Sequence, residues 1–251
     1  MVNIIMHGCN GRMGQVISDI VAKDENAQIV AGIDIVDNKE NGYPVFTDIE
    51  ACDVEADVVI DFSNAKAVDA LLAYCEKKNL PVVLCSTGLS EEQIFAVNDL
   101  SKKVAVLRSG NMSLGINTLM KVLKSVSAQL AEAGFDVEIV EKHHNQKLDA
   151  PSGTALMLAD AVNEQVNCEY EYRYDRSTVR EKRPKKEIGI SAVRGGTIVG
   201  DHDVIFAGND EVIEFKHRAY SRNIFANGAI AAAKFLKGKA AGMYDMSDVL
   251  D

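Results

Sequence analysis

Val2-Asn3-Ile4-Ile5-Met6-His7-Gly8-Cys9-Asn10-Gly11-Arg12-Met13-Gly14 is an apolar run that breaks into glycines at every third position. Val2–Met6 reads as a buried strand. Met13–Lys23 follows with apolar residues at Val16, Ile17, Ile20 and Val21, which is helical spacing. A G-x-x-G-x-x-G turn between a strand and a helix lets the backbone come close to a pyrophosphate, and the helix N-terminus stabilises the anion through its N–H groups. The spacing differs from the commoner G-x-G-x-x-G, so context has to carry the reading. A second strand, Gln28–Ile33, ends at Asp34, about 20 residues beyond Gly14, where a carboxylate accepts hydrogen bonds from a ribose 2′-hydroxyl. Together these features predict a dinucleotide site.

Outward from this turn, short β-rich runs alternate with amphipathic ones. Ala56–Phe62 reads as a strand, with Ser63-Asn64 as capping material for a helix over Ala65–Lys78. Pro81–Cys85 is a strand, Glu91–Lys103 a helix and Val104–Leu107 another strand. Alternating β and α units imply an α/β fold, a doubly wound (Rossmann-like) parallel sheet with helices on both faces. In such a sheet the ligand lies outside the carboxyl ends of the strands, which places Cys85-Ser86-Thr87-Gly88 and Ser109-Gly110-Asn111-Met112 beside the same groove.

The pattern changes after Ser113. A helix is expected over Leu114–Ala131, then a strand over Phe135–Lys142, in which Phe135, Val137 and Ile139 alternate with Asp136, Glu138 and Glu141 on a wet face. Ile188–Val193, Thr197–Ala207 and Glu211–Ala219 read as strands. Gly208-Asn209-Asp210 is expected to supply the positive-φ positions of a tight hairpin. This is a second, α+β domain with a mixed or antiparallel sheet. A helix over Asn223–Lys237 is placed to pack back on the first domain, and the chain then ends in a short acidic tail. Glu169–Lys186, rich in Arg and Lys, reads as a solvated loop of mixed charge, with an anion-facing or subunit-facing flap as the alternative.

The composition narrows the functional classes. The 251 residues carry 27 Lys+Arg against 37 Asp+Glu, a net charge of −10, which argues against a nucleic-acid partner. No stretch approaches the roughly 20 apolar residues of a spanning helix, so no membrane role is expected. The N-terminus lacks the basic region of a signal peptide. The five cysteines include no C-x-x-C pair, which points to reduced thiols in a cytoplasmic protein and to no structural zinc. Nothing in the sequence lowers the pKa of Cys85, so it reads as a small buried thiol rather than a nucleophile.

The densest chemistry lies in Glu141-Lys142-His143-His144-Asn145-Gln146-Lys147-Leu148-Asp149-Ala150-Pro151-Ser152-Gly153-Thr154. Histidine exchanges protons near neutral pH and lysine supplies a positive charge or a proton. Gly153-Thr154 at a helix start offers N–H groups and a hydroxyl suited to a carboxylate. His143 and His144 point to opposite faces of a strand and cannot readily share a metal ion, so no metal is expected. Asp34 followed by Ile35, with Lys39 the nearest basic residue, favours NADH over NADPH. A dehydrogenase acting on an amino acid or aldehyde shares the glycine loop but leaves the His143–Thr154 segment unexplained. A dinucleotide-sensing regulator finds no support in the charge.

Gly8–Gly14 (G-C-N-G-R-M-G) together with His143–Ala155 (H-H-N-Q-K-L-D-A-P-S-G-T-A) closely resembles the 4-hydroxy-tetrahydrodipicolinate reductase (dihydrodipicolinate reductase) family of the diaminopimelate route to lysine. The resemblance covers essentially the whole chain, and the second motif is the specific one. It implies a dinucleotide-binding domain over 1–113 and 222–251, and a substrate-binding and tetramerisation domain over 114–221 that forms a homotetramer through its sheet. The expected reaction is hydride transfer from NADH or NADPH to a small cyclic dicarboxylate. By position, His143 resembles the family's general acid/base and Lys147 its second proton donor. His144 is similar to a substrate ligand, and Gly153 with Thr154 to the carboxylate-binding pair. Gly8, Cys9, Asn10, Gly11, Arg12, Met13, Asp34, Cys85, Ser86, Thr87, Ser109, Gly110, Asn111 and Met112 match the nucleotide contacts. Ile35 stands where many members carry an Arg for the 2′-phosphate. Two ligands must meet, so closure of the domains on binding is also expected.

Overall fold

Val2–His7 forms strand β1, and every one of its residues except Asn3 is buried. It feeds through the glycine turn into helix α1 (Arg12–Val21), then β2 (Ala27–Ile33), β3 (Val45–Phe46), β4 (Val58–Asp61), α2 (Ala65–Lys78), β5 (Val82–Leu84), α3 (Glu91–Leu100) and β6 (Ala105–Arg108). The chain continues through α4 (Leu114–Glu132), β7 (Asp136–His143), α5 (Gly153–Asn163), β8 (Glu171–Tyr174), β9 (Glu187–Arg194), β10 (Gly200–Ala207) and β11 (Val212–Ala219). It closes with α6 (Asn223–Leu236) and β12 (Gly242–Tyr244). The computed structural model describes residues 1–251. It has two units, Met1–Leu114 with Asn223–Asp251, and Gly115–Arg222.

Local chemistry sets the helix ends. The Asn64 side chain accepts the Lys66 N–H at the start of α2, and Asn79 closes that helix in the left-handed region, φ 50°, after Lys77 and Lys78. Ser90 and Gln93 form a reciprocal capping box on α3. Ser152 caps α5 by accepting the Ala155 N–H. In contrast, α1 starts at Gly11 with no side-chain cap and no acidic residue in its first turn.

The first unit is a seven-stranded sheet in the order β12-β6-β5-β4-β1-β2-β3, parallel at every pairing. Ile4 and Met6 of β1 join Ile17 and Val21 of α1 and Ala229, Ala233 and Leu236 of α6 on one face. Ile5, between them, joins Val68 and Leu71 of α2 and Val97 and Leu100 of α3 on the other. Apolar side chains at successive positions are what a strand buried on both faces requires. The second unit has a mixed sheet, order β11-β10-β7-β9-β8, with β10 antiparallel to both β11 and β7, and β9 parallel to both β7 and β8.

The structure corrects four details of the sequence reading. First, the 169–186 segment is not wholly a loop, because Glu171–Tyr174 is the edge strand β8. Arg183 is tied down, its guanidinium donating to Glu138 at 2.9 Å, Asp136 at 2.8 Å and the Val137 carbonyl at 2.9 Å. Second, Gly208 and Asn209 do not take positive φ. The loop between the paired Ala207 and Val212 is four residues long, closed by Gly208 N–H on the Glu211 carbonyl, and so needs no left-handed residue. Third, the C-terminal tail is structured: β12 adds to the edge of the parallel sheet and Met246 is fully buried. Fourth, Glu141 lies on the buried face of β7, not the wet one. Strands of two to four residues, such as β3, β8 and β12, are too short to show a period.

Candidate functional site

In the first unit, the residues expected to hold a nucleotide follow the carboxyl ends of β1, β2, β5 and β6, along one edge of the sheet. Gly8 has φ +82°, and a Cβ there would lie 2.7 Å from the Phe62 carbonyl oxygen. At Gly14 a Cβ would lie 2.2 Å from that of Gly8. Both positions therefore exclude a side chain, and the uncapped start of α1 faces the turn they form. Asp34 accepts the Asn10 N–H at 2.8 Å and its neighbour's, Ile35 N–H, at 2.8 Å, which fixes the carboxylate at the loop. A cavity of about 570 Å³ opens beside it, lined among others by Gly8, Asn10, Gly11, Asp34, Ile35 and Lys39. A side-chain-free turn, an uncapped helix start and a carboxylate beside a cavity of this size fit the adenosine and phosphate portions of a nicotinamide dinucleotide.

The remaining candidates in this unit divide by side-chain placement. Arg12 and Thr87 are exposed, and Ser86 is buried with its hydroxyl 3.4 Å from that of Ser63. Ser109 Oγ donates to the Asn111 carbonyl, and Asn111 Oδ1 accepts the Ser113 N–H, so the 109–112 turn is self-braced. The side chains of Cys9 and Met112 belong to the core, leaving only their backbone for a ligand. Burial, and then the charge of Asp34, pushes the Cys9 thiol up to about 11. Cys85 is half-buried rather than fully so. Its surroundings and the Asp61 charge push its pKa well up, against a nucleophilic role. Sequence reasoning missed His7 and Asp61, which pair at 2.9 Å at the ends of adjacent strands. Burial pushes the Asp61 carboxyl up, but hydrogen bonds from His7 and Ser63 outweigh it and hold it below the usual range.

In the second unit, strand parity builds the site. Val137 and Ile139 of β7, Ile188 and Ile190 of β9, and Val204 and Phe206 of β10 form the core under α5. Continuing each strand by steps of two keeps to the same face and reaches Glu141 and His143, Arg194, and His202. His217 of β11 pairs opposite His202. One face is thus apolar at one end and titratable at the other, and it gathers three of the chain's five histidines.

Glu141 is fully buried. It faces His143 Nδ1 at 2.6 Å, accepts two bonds from Arg194 at 2.7 and 2.8 Å, and accepts the Ser152 N–H at 2.9 Å. Burial alone pushes its carboxyl up, yet the bonds from Arg194, His143 and Ser152 hold it below the ordinary range. Ser152 Oγ, at the start of α5, also lies 3.1 Å from His202 Nε2, and the His143 and His202 rings meet edge to face with centroids 5.2 Å apart. Burial, and then the neighbouring His143, lowers the pKa of His202 to about 4. Lys147 is ion-paired to Asp149 at 2.8 Å. His143, Lys147, Gly153 and Thr154 therefore all sit on, or within a turn of, one end of one sheet face, while His144 follows the last residue of β7. Glu141 was assigned to the wrong face, and Arg194, His202 and His217 were missed. Counting parity from Val137 finds Glu141, but the other three need the strand register.

The sequence description "Dihydrodipicolinate reductase, N-terminus" matches residues 2–112, and "Dihydrodipicolinate reductase, C-terminus" matches residues 115–250. The chain belongs to the dihydrodipicolinate reductase family. It is 50% identical over 250 residues to the 4-hydroxy-tetrahydrodipicolinate reductase of Clostridium novyi (strain NT), covering 100% of this chain and 98% of that protein. The enzyme of the same name from Clostridium tetani (strain Massachusetts / E88) is 49% identical, with the same coverage. Among solved structures, the dipicolinate-bound dihydrodipicolinate reductase of Paenisporosarcina sp. TG-14 superposes with a TM-score of 0.83 at 26% identity, over 98% of this chain and 97% of that one. A probable dehydrogenase from Thermotoga maritima, TM-score 0.61 at 13% identity over 99% and 92%, shares the fold alone.

Proposed function

We propose that this chain is a reductase that converts 4-hydroxy-tetrahydrodipicolinate to tetrahydrodipicolinate, with His143 as its proton-transfer residue and Lys147, His144, Gly153 and Thr154 as its carboxylate site. The activity is that of the family. The observation that carries the residue assignment is the buried His143 imidazole, bonded to a carboxylate and set beside the start of α5. A proton donor and an anion-binding helix start are thus held by one rigid cluster. The Paenisporosarcina relative is described as dipicolinate-bound, a planar dicarboxylate of the same class.

A reduced nicotinamide nucleotide supplies the hydride when bound. Gly8–Met13, Asp34, Cys85–Thr87 and Ser109–Met112 are the residues of this chain that would hold it. The chain's own chemistry is to bind, orient and protonate. The N–H groups opening α5 and the Thr154 hydroxyl take one carboxylate. Lys147, itself mostly buried, exchanges Asp149, whose side chain is 58% exposed, for another; a partner so open to solvent is readily replaced. His143 then delivers a proton as electron density builds on the substrate ring. The balance is one hydride and one proton in, and one water out.

NADH is the preferred donor in this reading. The Asp34 carboxylate lines the cavity and Ile35 beside it is 82% exposed, offering no charge to a 2′-phosphate. A homotetramer is proposed through the second face of the β7–β11 sheet, where Val140, Val193, Ile205 and Val212 lie among charged residues. The five cysteines are all free thiols, which supports a cytoplasmic location, and no helix is long and apolar enough to cross a membrane.

The test is oxidation of NADH and NADPH, in parallel, with the condensation product of pyruvate and aspartate semialdehyde made in situ. Turnover with a higher kcat/KM for NADH is expected, and Ile35→Arg should move the ratio towards NADPH. Equal or greater efficiency with NADPH in the wild type would overturn the cofactor preference. Absence of turnover with either, from folded protein that binds NADH, would overturn the activity.

A further inference from the structure

Three groups, through four contacts, converge on one buried carboxylate. Glu141 Oε2 faces His143 Nδ1 and Oε1 accepts the Ser152 N–H, while Arg194 spans both oxygens. Arg194 also donates to the Asp149 carbonyl at 2.6 Å, at the far end of the loop that carries Lys147. Taking two charges out of water for stability alone is a poor bargain compared with an apolar pair of similar volume. A fully buried carboxylate that bridges a histidine and a helix start therefore asks for a role beyond packing.

We propose that Glu141 is the positioning residue of this site: one oxygen fixes the His143 imidazole so that Nε2 moves the proton, and the other fixes the helix start that holds the substrate carboxylate. Arg194 keeps Glu141 charged and ties both to the Lys147–Asp149 loop. The inference rests on the role proposed for His143 and extends it.

The geometry determines which nitrogen reacts. A carboxylate only accepts, so the Glu141 contact places a proton on Nδ1 and leaves Nε2 as the exchanging atom. Nε2 is directed over Gly200, where a Cβ would lie 3.1 Å away, so the absence of a side chain there keeps that edge of the ring open. The other groups around the ring are Arg194 on β9, His202 on β10 with His217 beyond it on β11, and Lys147 with Asp149 in the loop. Of these only Asp149 is negative, and it is paired with Lys147. The assistance to His143 thus comes from Glu141.

Glu141→Gln keeps the shape and the contact with the Ser152 N–H but removes the charge. It is expected to lower kcat by about 10- to 100-fold, the range for losing a partner that orients a histidine, and to raise KM for the dicarboxylate. KM for NADH should stay at the wild-type value. The kcat–pH profile should also change, because the carboxylate that faces the His143 ring is gone. Added to His143→Asn, the same change should leave kcat within about twofold of the single His143 variant, since the two act as one unit. A purely structural Glu141 would instead lower kcat by the same factor in both backgrounds and leave the profile in place.

Glu141→Asp, which retains the charge but draws the oxygens back by one methylene, is the companion variant should the Gln form not fold. It is expected to show the same loss of kcat with NADH binding intact. A crippled His143→Asn enzyme beside a Glu141→Gln or Glu141→Asp enzyme with wild-type kcat and pH profile would overturn the inference alone. A His143→Asn enzyme with wild-type kcat would overturn the role of His143, and this inference with it.

Discussion

At the scale of single residues, the roles proposed for His143 and Thr154 are separable. His143→Ala is expected to lower kcat by about 10²- to 10⁴-fold, the usual worth of a positioned acid, with little change in KM. Thr154→Val is expected mainly to raise KM for the dicarboxylate. Steady-state kinetics distinguish them, and an unaltered kcat in His143→Ala would remove that assignment. His202 has a different consequence, for stability. Its pKa falls from 6.5 to about 4 on folding, so between those values the unfolded chain binds the proton and the folded chain does not. The sign follows directly: stability is lost as pH drops from about 6.5 towards 4, by about 3 kcal/mol over the full window. Urea denaturation of wild type and His202→Asn at pH 7 and pH 5 should show a steeper loss in the wild type. Parallel losses in the two proteins would mean that His202 is not buried in its neutral form.

At the scale of elements, the close approaches are made by glycines and the helix starts are set by capping. A Cβ at Gly228 would lie 1.6 Å from the Met112 carbonyl oxygen, so α6 packs against the end of the 109–112 turn at backbone distance. Gly228→Ala must push the helix away and is expected to lower Tm by several degrees, with NADH affinity reduced because the turn moves as well. Ser90→Ala removes a capping box on the far side of the same unit and should cost only about 1 kcal/mol, with kinetics unchanged. Thermal melts paired with NADH titration separate the two effects. A Gly228→Ala protein with wild-type Tm would show that α6 is free to shift. The cap at Asn64 was legible in sequence, because a cap is a contact between near neighbours; those at Ser90 and Ser152 are local too but were not singled out. The Gly228 approach was not, because its partner lies more than a hundred residues away.

At the scale of the whole molecule, the prediction concerns assembly. The helix-free face of the mixed sheet presents Val140, Val193, Ile205 and Val212 beside Glu214 and Lys216, a mixture of apolar and paired charged residues suited to a self-complementary contact. Sedimentation velocity should show a tetramer, and Val193→Asp should yield smaller species. A wild-type monomer across the working concentration range would rule the assembly out. The parallel sheet was legible without any of this, because strands such as β1, β4 and β5, buried on both faces, appear as continuous apolar runs separated by helical periods. The edge strands β3, β8 and β12 were not, since their pairing comes from neighbours distant in sequence.

The sequence by itself determined the doubly wound architecture, the presence of a second sheet, left as mixed or antiparallel, and the glycine turn followed by Asp34, and it singled out the segment from His143 to Thr154 as the candidate centre of the chemistry. All of these rest on local signals: periodicity, turn residues and motif spacing. Only the tertiary structure decided what surrounds His143. Glu141 sits two residues before it and reads as a solvent-facing acid, yet Arg194 bonds Glu141 and His202 meets the His143 ring from strands roughly fifty to sixty residues further along the chain. A buried charge is stable only when its partners are assembled around it. Those partners are fixed by strand register, a long-range property that no local pattern encodes.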